Sequence, residues 1–412
     1  MANKKVIVIG GGASGLMAAG TAAESGADVI LLEKMTSPAR KIKITGKGRC
    51  NLSNSAELED FISHFGPSGR FLRQAFGDFF SGDLIDFFTS RGLPLTIERG
   101  GRIFPEKADA PAVARLLINW VKKNRVDIKT GAVVTNLLMK NERLAGVICN
   151  GRKIYGDRII LATGGKSYPR TGSTGDGYQL AQTIGHTLVS VRPALVPLTT
   201  TKDSVTGLTG LQLRNVKARL FVDKSRKQQL FGELNFIKNG LDGPIILTLS
   251  SVVVDALRAE KQVVISLDLK PALDDKKLEA RLLRDLSSRS REPMASVLRG
   301  LLPKQLIPIC LAHTDIDPAR EASQLPAKAR KKLRQWLKDF RFEIVGYGSY
   351  NQAIITAGGI KTTEIHPKTM ESRIAAGLYI VGELLDIHAD TGGYNLQAAF
   401  STGWVAGRAA AA

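Results

Sequence analysis

The sequence predicts an α/β fold in which a doubly wound parallel sheet is interrupted by an inserted domain. The chain opens as strand, glycine turn, helix and second strand, from KKVIVIG to ADVILLE. Two later strands, in RIILATGG and GLYIVGE, also run into glycines. Between about residues 192 and 350 the sequence changes first to strand-like and then to helical segments.

The domain boundaries follow from these changes. We expect the first domain to comprise residues 1–191 and 351–412, so that both chain ends belong to it. The insert, 192–350, would be β-rich over 192–272 and helical over 273–345. We expect this insert to be a substrate domain.

Length and composition indicate a globular protein. The chain has 412 residues, of which 43% are hydrophobic, enough for two or three domains. The three cysteines are too few for a disulfide framework and favour a reducing cytoplasm. The apolar run at the start contains several glycines, which suit a strand and turn better than a signal peptide. No apolar stretch approaches the ~20 residues of a membrane span.

The charge balance is strongly basic. The chain carries 58 Lys and Arg against 38 Asp and Glu, a net charge of +20. Residues 191–350 hold 28 of the basic and 17 of the acidic residues, a net charge of +11. The densest run, 327–341, interleaves Trp336 and Phe340 with cations. This pattern is typical either of a solvated helix face or of a surface that binds the phosphate backbone of RNA.

A G-x-G-x-x-G motif lies at the first strand-to-helix turn. Gly10 allows a tight turn, Gly12 allows the backbone to approach a pyrophosphate, and Gly15 allows close helix–strand packing. Ala13 would begin the helix, whose free N–H groups favour anions. Glu33 ends the second strand, where an acid suits a ribose hydroxyl. The motif therefore predicts a Rossmann-type dinucleotide site.

The segment TGKGRCNLSN, residues 45–54, places Cys50 in a glycine-rich and cationic loop. Cys50 has no partner in a C-x-x-C motif, and the five histidines are scattered along the chain, so we predict no metal site. Lys47 and Arg49 would lower the pKa of the Cys50 thiol.

Longer motifs resemble one family. They are GGGASGLMAA, RKIKITGKGRCNLSN, GGKSYPRTGSTGDGYQLAQTIGH, GLDGP and PKTMESRIAAGLYIVGELLDIHADTGGYNLQAAFSTG. Together they resemble the YhiN/BaiN/aminoacetone-oxidase family of FAD enzymes, within the two-dinucleotide-binding-domain flavoproteins. The chain differs from the family pattern at Ile237–Asn239 and at Asp242, which bears on the substrate pocket rather than on the flavin site.

The resemblance implies bound FAD. Lys34, Arg40 and Lys41 would lie near the pyrophosphate or ribose, and Val133 near the adenine. The ribityl chain and ring would lie near Gly382, Glu383 and the first residues of the last helix. The full set of implied FAD-binding residues is Gly10, Gly12, Ala13, Gly15, Glu33, Lys34, Arg40, Lys41, Gly48, Arg49, Cys50, Asn51, Val133, Ala162, Thr163, Gly164, Gly382, Glu383, Gly393, Tyr394, Asn395 and Leu396.

The resemblance also gives Cys50 and Asn51 a candidate catalytic role. Beside the flavin ring, they could donate a proton to a substrate carbon that hydride has reached. The alternative is that Cys50 only packs there, while Gly46 and Gly48 leave room for phosphates. Both hypotheses stay open on the sequence.

The activity implied is that of an FAD-dependent oxidoreductase. We expect a reductase of a conjugated C=C bond, with NAD(P)H docking transiently as reductant. The basic insert favours a uridine of large-subunit ribosomal RNA as substrate, reduced to dihydrouridine. The alternatives are a steroid-like enone, a flavin amine oxidase acting on an amine such as aminoacetone, and a non-catalytic RNA-binding flavoprotein.

Overall fold

The computed structural model of the protein describes residues 3–140, 143–201 and 205–412. The chain forms two compact units. The first comprises the chain up to Ala194 together with Ser349–Ala412, and the second is Leu195–Gly348.

The strands are β1 Lys5–Ile9, β2 Asp28–Glu33, β3 Ser53–Asn54, β4 Leu95–Glu98, β5 Arg102–Pro105, β6 Asp127–Thr130, β7 Val134–Lys140, β8 Arg143–Cys149, β9 Arg152–Tyr155, β10 Arg158–Leu161, β11 Leu188–Ala194, β12 Leu198–Thr200, β13 Gln212–Val222, β14 Ser225–Ile237, β15 Gly240–Asp242, β16 Val263–Asp268, β17 Phe340–Tyr347, β18 Ile355–Ile360 and β19 Leu378–Ile380.

The α-helices are α1 Ala13–Glu24, α2 Leu58–Ser63, α3 Gly69–Asp78, α4 Ser81–Thr89, α5 Ala110–Lys123, α6 Asp176–Thr183, α7 Pro244–Arg258, α8 Asp275–Ser288, α9 Met294–Val297, α10 Leu306–Thr314, α11 Ala327–Lys338 and α12 Tyr394–Ala411.

A parallel sheet organises the first unit. Its strand order is β19–β10–β1–β2–β6, and Ile7 of β1 pairs with Ile159 on one side and Ile30 on the other. Residues 6–9 of β1 are all buried, as expected when helices cover both faces of a parallel sheet. The predicted fold class, a Rossmann-type domain with a β-rich insertion, is confirmed.

Helices α1 and α12 pack directly against each other in this unit. A Cβ atom at Gly403 of α12 would lie 2.4 Å from the backbone oxygen of Ser14 in α1, so this approach requires glycine. Helix α12 therefore packs on α1, the helix that follows the glycine turn, and both chain ends belong to one unit.

The second unit is built around a closed barrel of strand order β12–β15–β14–β13–β16–β17. Closure leaves no exposed sheet edge. Two elements depart from the predicted division of the insert. The segment PIILTLSSVVVDALR forms α7 within the part expected to be β-rich, since its buried residues recur at helical spacing. Residues 340–347 form β17 within the part expected to be helical, because this strand completes the barrel.

Candidate active site

The turn after β1 brings together the three glycines of the motif. A Cβ atom at Gly10 would lie 2.5 Å from the Ala162 oxygen, and one at Gly15 would lie 1.8 Å from the Gly10 oxygen. Packing thus requires glycine at both positions. At Gly12, by contrast, φ is −81° and no described atom of another part of the chain lies within 4 Å of the added carbon. The chain itself does not require glycine here, and the open space suits a ligand.

Helix α1 begins at this turn with Ala13. Its N-cap, Gly12, contributes no side-chain hydrogen bond, and the first intrahelical bond runs from the Leu16 N–H to the Gly12 oxygen. The N–H groups of the first turn therefore remain available for an anion.

Glu33 at the end of β2 is nearly buried, at 9% exposed. Its Oε2 accepts from the Gly11 N–H at 2.7 Å, and its Oε1 accepts from the Met35 N–H at 2.8 Å. These bonds fix the carboxylate beside the glycine turn. Each oxygen keeps a further lone pair that could accept from a ribose hydroxyl.

The cations predicted near the phosphates are held by groups of the chain. Lys34 forms an ion pair of 2.5 Å with Asp176 at the start of α6 and also contacts Thr174. Arg40 donates to the backbone oxygen of Arg170 at 3.5 Å. A phosphate would share these cations with the chain.

Lys41 belongs to a network around Glu383. The Lys41 Nζ lies 2.7 Å from Glu383 Oε2, while Ser167 Oγ and the Thr356 N–H donate to Oε1 at 2.8 and 2.7 Å. This network joins the loop before Cys50, the turn after β10, the start of β18 and the turn after β19. Its role is to hold these four segments together.

The loop around Cys50 is tightly folded and contains several residues with positive φ. Cys50 has a φ of +62° and is 0% exposed. Burial raises the pKa of its thiol to about 12. The expectation that nearby cations would lower this pKa is wrong, since Lys47 is exposed and Arg49 pairs with Glu98 at 2.5 Å. Gly48, also predicted to contact the cofactor, has a φ of +85° and no described atom beyond its neighbours near an added Cβ.

Two buried polar atoms near the glycine turns lack a partner. Asn51 Oδ1 and Thr163 Oγ1 are both inaccessible to solvent and make no hydrogen bond within the described residues. Leaving such an atom unpaired costs about 1–3 kcal/mol. With the open space at Gly12, these two atoms fit a polar ligand such as FAD.

The strand ends next to this turn are tightly packed. Ala162 is 3% exposed, and Gly164 has a φ of +71°. Val133 has an exposed side chain, at 43%, but its backbone is engaged, because its N–H donates to Asn150 Oδ1 and its oxygen accepts from the Asn150 N–H. Only the Val133 side chain is therefore free to pack against an adenine.

The start of α12 approaches the Cys50 segment. A Cβ atom at Gly393 would lie 2.1 Å from the Ser53 oxygen, and one at Gly382 would lie 2.6 Å from Ser14 Oγ. Gly393 is the N-cap of α12 and provides no side-chain cap. The first N–H groups of α12, from Tyr394 to Leu396, therefore form a second site that favours negative charge.

The side chains of this first turn make contacts within the first unit. The Tyr394 ring is 6% exposed and stacks on His64, with centroids 4.0 Å apart. The Asn395 Oδ1 accepts from the Ala389 N–H at 2.9 Å, and the Asn395 Nδ2 donates to the Ala389 oxygen at 3.0 Å. Leu396 is half-buried in the core of this unit. Tyr394 and Asn395 thus position the helix start through their side chains, while contact of this turn with the flavin stays a prediction.

Sequence reasoning missed a histidine in the same region. His64, at the end of α2, lies with its Nδ1 3.0 Å from Asp390 Oδ2, and its side chain is 28% exposed. Because Asp390 directly precedes the TGGYN turn, the only signal in the sequence was an acid next to that motif. Nothing pointed to its partner.

The cationic run of the insert forms α11 in the second unit. Arg330 and Arg334 bind Glu279 at 2.6 and 3.1 Å, and Lys332 binds Asp315 at 2.7 Å. Trp336 is 8% exposed and Phe340 2% exposed. The aromatic rings therefore belong to the core and are not accessible for stacking on bases, while binding of a phosphate backbone by the cations of this run stays a prediction.

Comparison with known proteins places this geometry in a family. The HI0933-like protein Rossmann domain matches residues 4–409. The chain is 35% identical to a 3-dehydro-bile acid delta(4,6)-reductase of Clostridium scindens, over 99% of both chains. It is 30% identical to a ribosomal RNA dihydrouridine synthase of Escherichia coli, over 97% of this chain and 96% of that protein.

Solved structures of flavin enzymes share the fold. A 3-ketosteroid delta1-dehydrogenase from Sterolibacterium denitrificans aligns over 99% of both chains with a TM-score of 0.54 and 12% identity. A 3-ketosteroid-delta4-(5alpha)-dehydrogenase from Rhodococcus jostii aligns over 99% of this chain and 97% of that chain, with a TM-score of 0.52 and 16% identity. No helix within the described residues is both long and apolar enough to cross a bilayer. The resemblance seen in the motifs is confirmed, and the protein belongs to the HI0933-like family of FAD-dependent oxidoreductases.

Proposed function

We propose that the protein is an FAD-dependent reductase that uses NAD(P)H to saturate a carbon–carbon double bond conjugated to a carbonyl group. The observation that carries the proposal is the agreement between two relatives that match 99% and 97% of this chain. One is named a delta(4,6)-reductase and the other a dihydrouridine synthase. Both names describe the addition of hydrogen across a C=C bond.

The chain would hold FAD mainly through backbone groups. The open face at Gly12 and the N–H groups at the start of α1 suit the pyrophosphate, and Glu33 suits a ribose hydroxyl. Asn51 and Thr163 would find partners for their buried oxygens. When bound, FAD supplies the hydride chemistry that amino-acid side chains lack.

Saturation of the double bond needs a hydride on one carbon and a proton on the other. The hydride originates from NAD(P)H, which leaves as NAD(P)⁺. We assign the proton to His64, because Asp390 binds its Nδ1 and the stacked Tyr394 ring fixes its plane, leaving Nε2 for proton transfer. Cys50 is less suited, since its fully buried thiol has a pKa of about 12 and no exposed surface. We therefore favour a packing role for Cys50.

For the substrate we propose a small planar enone first. The relative with the higher identity is named for a bile-acid substrate, and the aromatic residues expected to bind RNA are buried. A uridine in ribosomal RNA is the second candidate, supported by the names of two relatives of 30% and 28% identity.

An anaerobic half-reaction separates these candidates. The FAD-loaded protein is reduced with NADH or NADPH and then mixed with a 3-oxo-Δ4,6 steroid, unmodified ribosomal RNA or buffer, while the flavin absorbance is followed. Rapid reoxidation by the steroid, with formation of the saturated product, is the expected result. Reoxidation by RNA with formation of dihydrouridine would establish the second candidate instead. Reduction of the flavin by aminoacetone, with fast turnover in air and no response to NAD(P)H, would overturn the proposal that the protein is a reductase.

A further inference from the structure

The second unit contains a cavity of about 780 Å³ that the proposed reaction does not use. It lies on the outer face of the barrel, where Lys217 of β13 pairs across the sheet with Phe231 of β14 and Asp268 of β16. The segment following β16, with Lys270 and Pro271, and Arg281 of α8 complete its wall. We call this space the barrel cavity.

The charges of the barrel cavity are not balanced by the chain. Lys217, Lys270 and Arg281 all line it. Within the described residues, neither lysine forms an ion pair, because Asp268 binds Lys338 at 2.6 Å instead. Three cations thus share one cavity, and only one of them has an acidic partner.

That partner leaves part of Arg281 available. Asp285 binds only the Nε atom, at 2.9 and 2.7 Å. The two terminal nitrogens of Arg281 make no hydrogen bond with any described residue. Burial and, next, the neighbouring Arg281 lower the pKa of Lys270. An anion between these two groups would relieve both effects.

The apolar part of the wall indicates what else the ligand carries. Phe231 is 57% exposed, so its ring is accessible to a ligand on the outer face of the barrel. Its ring and Pro271 offer a flat surface next to the cations, and the amide of Asn215 adds a group that can donate and accept hydrogen bonds. The volume falls within the ~300–1,000 Å³ typical of small-molecule sites.

We propose that the barrel cavity binds a phosphate monoester that carries a flat ring, a ligand of the mononucleotide class. Lys270 and Arg281, which are close enough for the charge of Arg281 to act on Lys270, together with Lys217 on the same wall, match a single dianionic phosphate. A nucleic-acid strand would instead require cations spaced along its backbone. The ring would stack on Phe231. The proposal is independent of the reductase reaction, since it rests on residues of the second unit alone.

Calorimetry on the FAD-loaded protein tests this site, with the flavin site filled. The probes are adenosine 5′-monophosphate, adenosine and inorganic phosphate. We expect the monophosphate to bind, adenosine to bind at least ~10-fold more weakly, and Lys270→Gln or Arg281→Gln to weaken the monophosphate ~10-fold or more. Phe231→Ser should weaken the monophosphate ~10-fold and leave inorganic phosphate unchanged. Lys328→Gln, which removes the same charge from an exposed position on α11, serves as the control.

A second measurement does not depend on variants. Lysine acetylation of the wild-type protein, mapped by mass spectrometry, should be reduced by the monophosphate at Lys270 and Lys217 but not at Lys328. Equal weakening by Lys328→Gln and Lys270→Gln would reduce the effect to general charge attraction and overturn the site. Absence of binding would also overturn the site. So would protection of Lys270 by a single-stranded RNA that lacks a terminal phosphate, if the monophosphate gives no protection.

Discussion

The glycine turn before α1 and the cationic helix α11 look similar in the sequence, because each has a composition that favours a phosphate ligand. The structure separates them. Gly12 has an ordinary φ of −81° and open space where a Cβ would lie, so no property of the chain requires glycine there. On α11, Arg330, Arg334 and Lys332 already have acidic partners.

The difference teaches which residues to assign to a ligand. A residue whose type is explained by its contacts within the chain needs no ligand, whereas one that is left unexplained and lies at a motif suited to a ligand is a candidate for binding it. By this criterion we propose that Gly12 and the buried oxygen of Asn51 contact the cofactor. The paired cations of α11 belong to the stability of the second unit.

Replacement of Gly12 is the strongest test of this comparison. Gly12→Val places a side chain in the space assigned to the pyrophosphate, so the purified protein should lose nearly all of its FAD, with affinity reduced at least ~100-fold. Absorbance of the purified protein and its FAD content after heat release measure the effect. Full flavin occupancy in this variant would contradict the assignment.

The matched control is Gly82→Val. Gly82 is exposed on α4, and its added Cβ would also meet open space. This variant should keep its FAD and unfold within about 0.5 kcal/mol of the wild type, as surface substitutions usually do. A similar loss of FAD would mean that the Gly12 effect comes from folding rather than from the site.

Much of the fold could be predicted because its signals are local. The motif from Gly10 to Glu33 covers the turn after β1, then α1 and β2, and its spacing is visible within this one segment, although Gly10 also packs against the distant Ala162. The segment of α7 was predicted to lie in a β-rich region because its β-branched residues favour a strand. Its packing on the barrel stabilises a helix instead.

The rest of the site depends on partners distant in sequence. His64 and Asp390 are 326 residues apart, and Arg330 and Glu279 are 51 apart, so neither pair has a spacing that a sequence could display. The pKa of Cys50 was predicted in the wrong direction for the same reason. Its adjacent cations were visible in the sequence, but its burial was not.

His64 and Cys50 extend the comparison to catalysis. If His64 supplies the proton, His64→Asn should slow reoxidation of the reduced flavin by substrate ~10²–10⁴-fold, the usual value of general acid catalysis. Reduction by NAD(P)H and FAD content should stay unchanged. Stopped-flow absorbance measures both half-reactions.

Cys50→Ala is the companion variant. It should reoxidise at nearly the wild-type rate, because a buried thiol that only packs contributes nothing to the transfer of a proton. If Cys50→Ala is slow and His64→Asn is fast, the proton donor is Cys50 and our assignment is wrong.

The buried thiols also predict a smaller effect, on alkaline stability. The pKa of Cys50 is about 12 in the folded protein against 9.0 for a free thiol, and Cys310 behaves alike. Below pH 9 both states keep the proton. Between about pH 9 and 12 only the unfolded state loses it, so each thiol lowers the free energy of unfolding by about 1.4 kcal/mol per pH unit. Urea unfolding at pH 8, 9 and 10 should show a shallower decline for Cys50→Ala than for the wild type, and identical slopes would contradict the burial of this thiol.

The smallest effects are expected from substitutions on α11. They test the difference between this helix and the glycine turn directly. Arg330→Gln and Arg334→Gln together leave Glu279 without its partners, and since that carboxylate is only 25% exposed the double variant should lose about 1 kcal/mol of stability. Lys328→Gln with Lys331→Gln removes the same charge from exposed positions and should change stability by less than about 0.5 kcal/mol. The first pair should not alter the slope of RNA affinity against salt, because its charges are neutralised within the unit. The second pair is exposed, so it tests directly whether α11 contacts phosphates. A slope reduced by about one for each residue removed would show that these cations contact phosphates, and α11 would then join the glycine turn as a ligand-binding element.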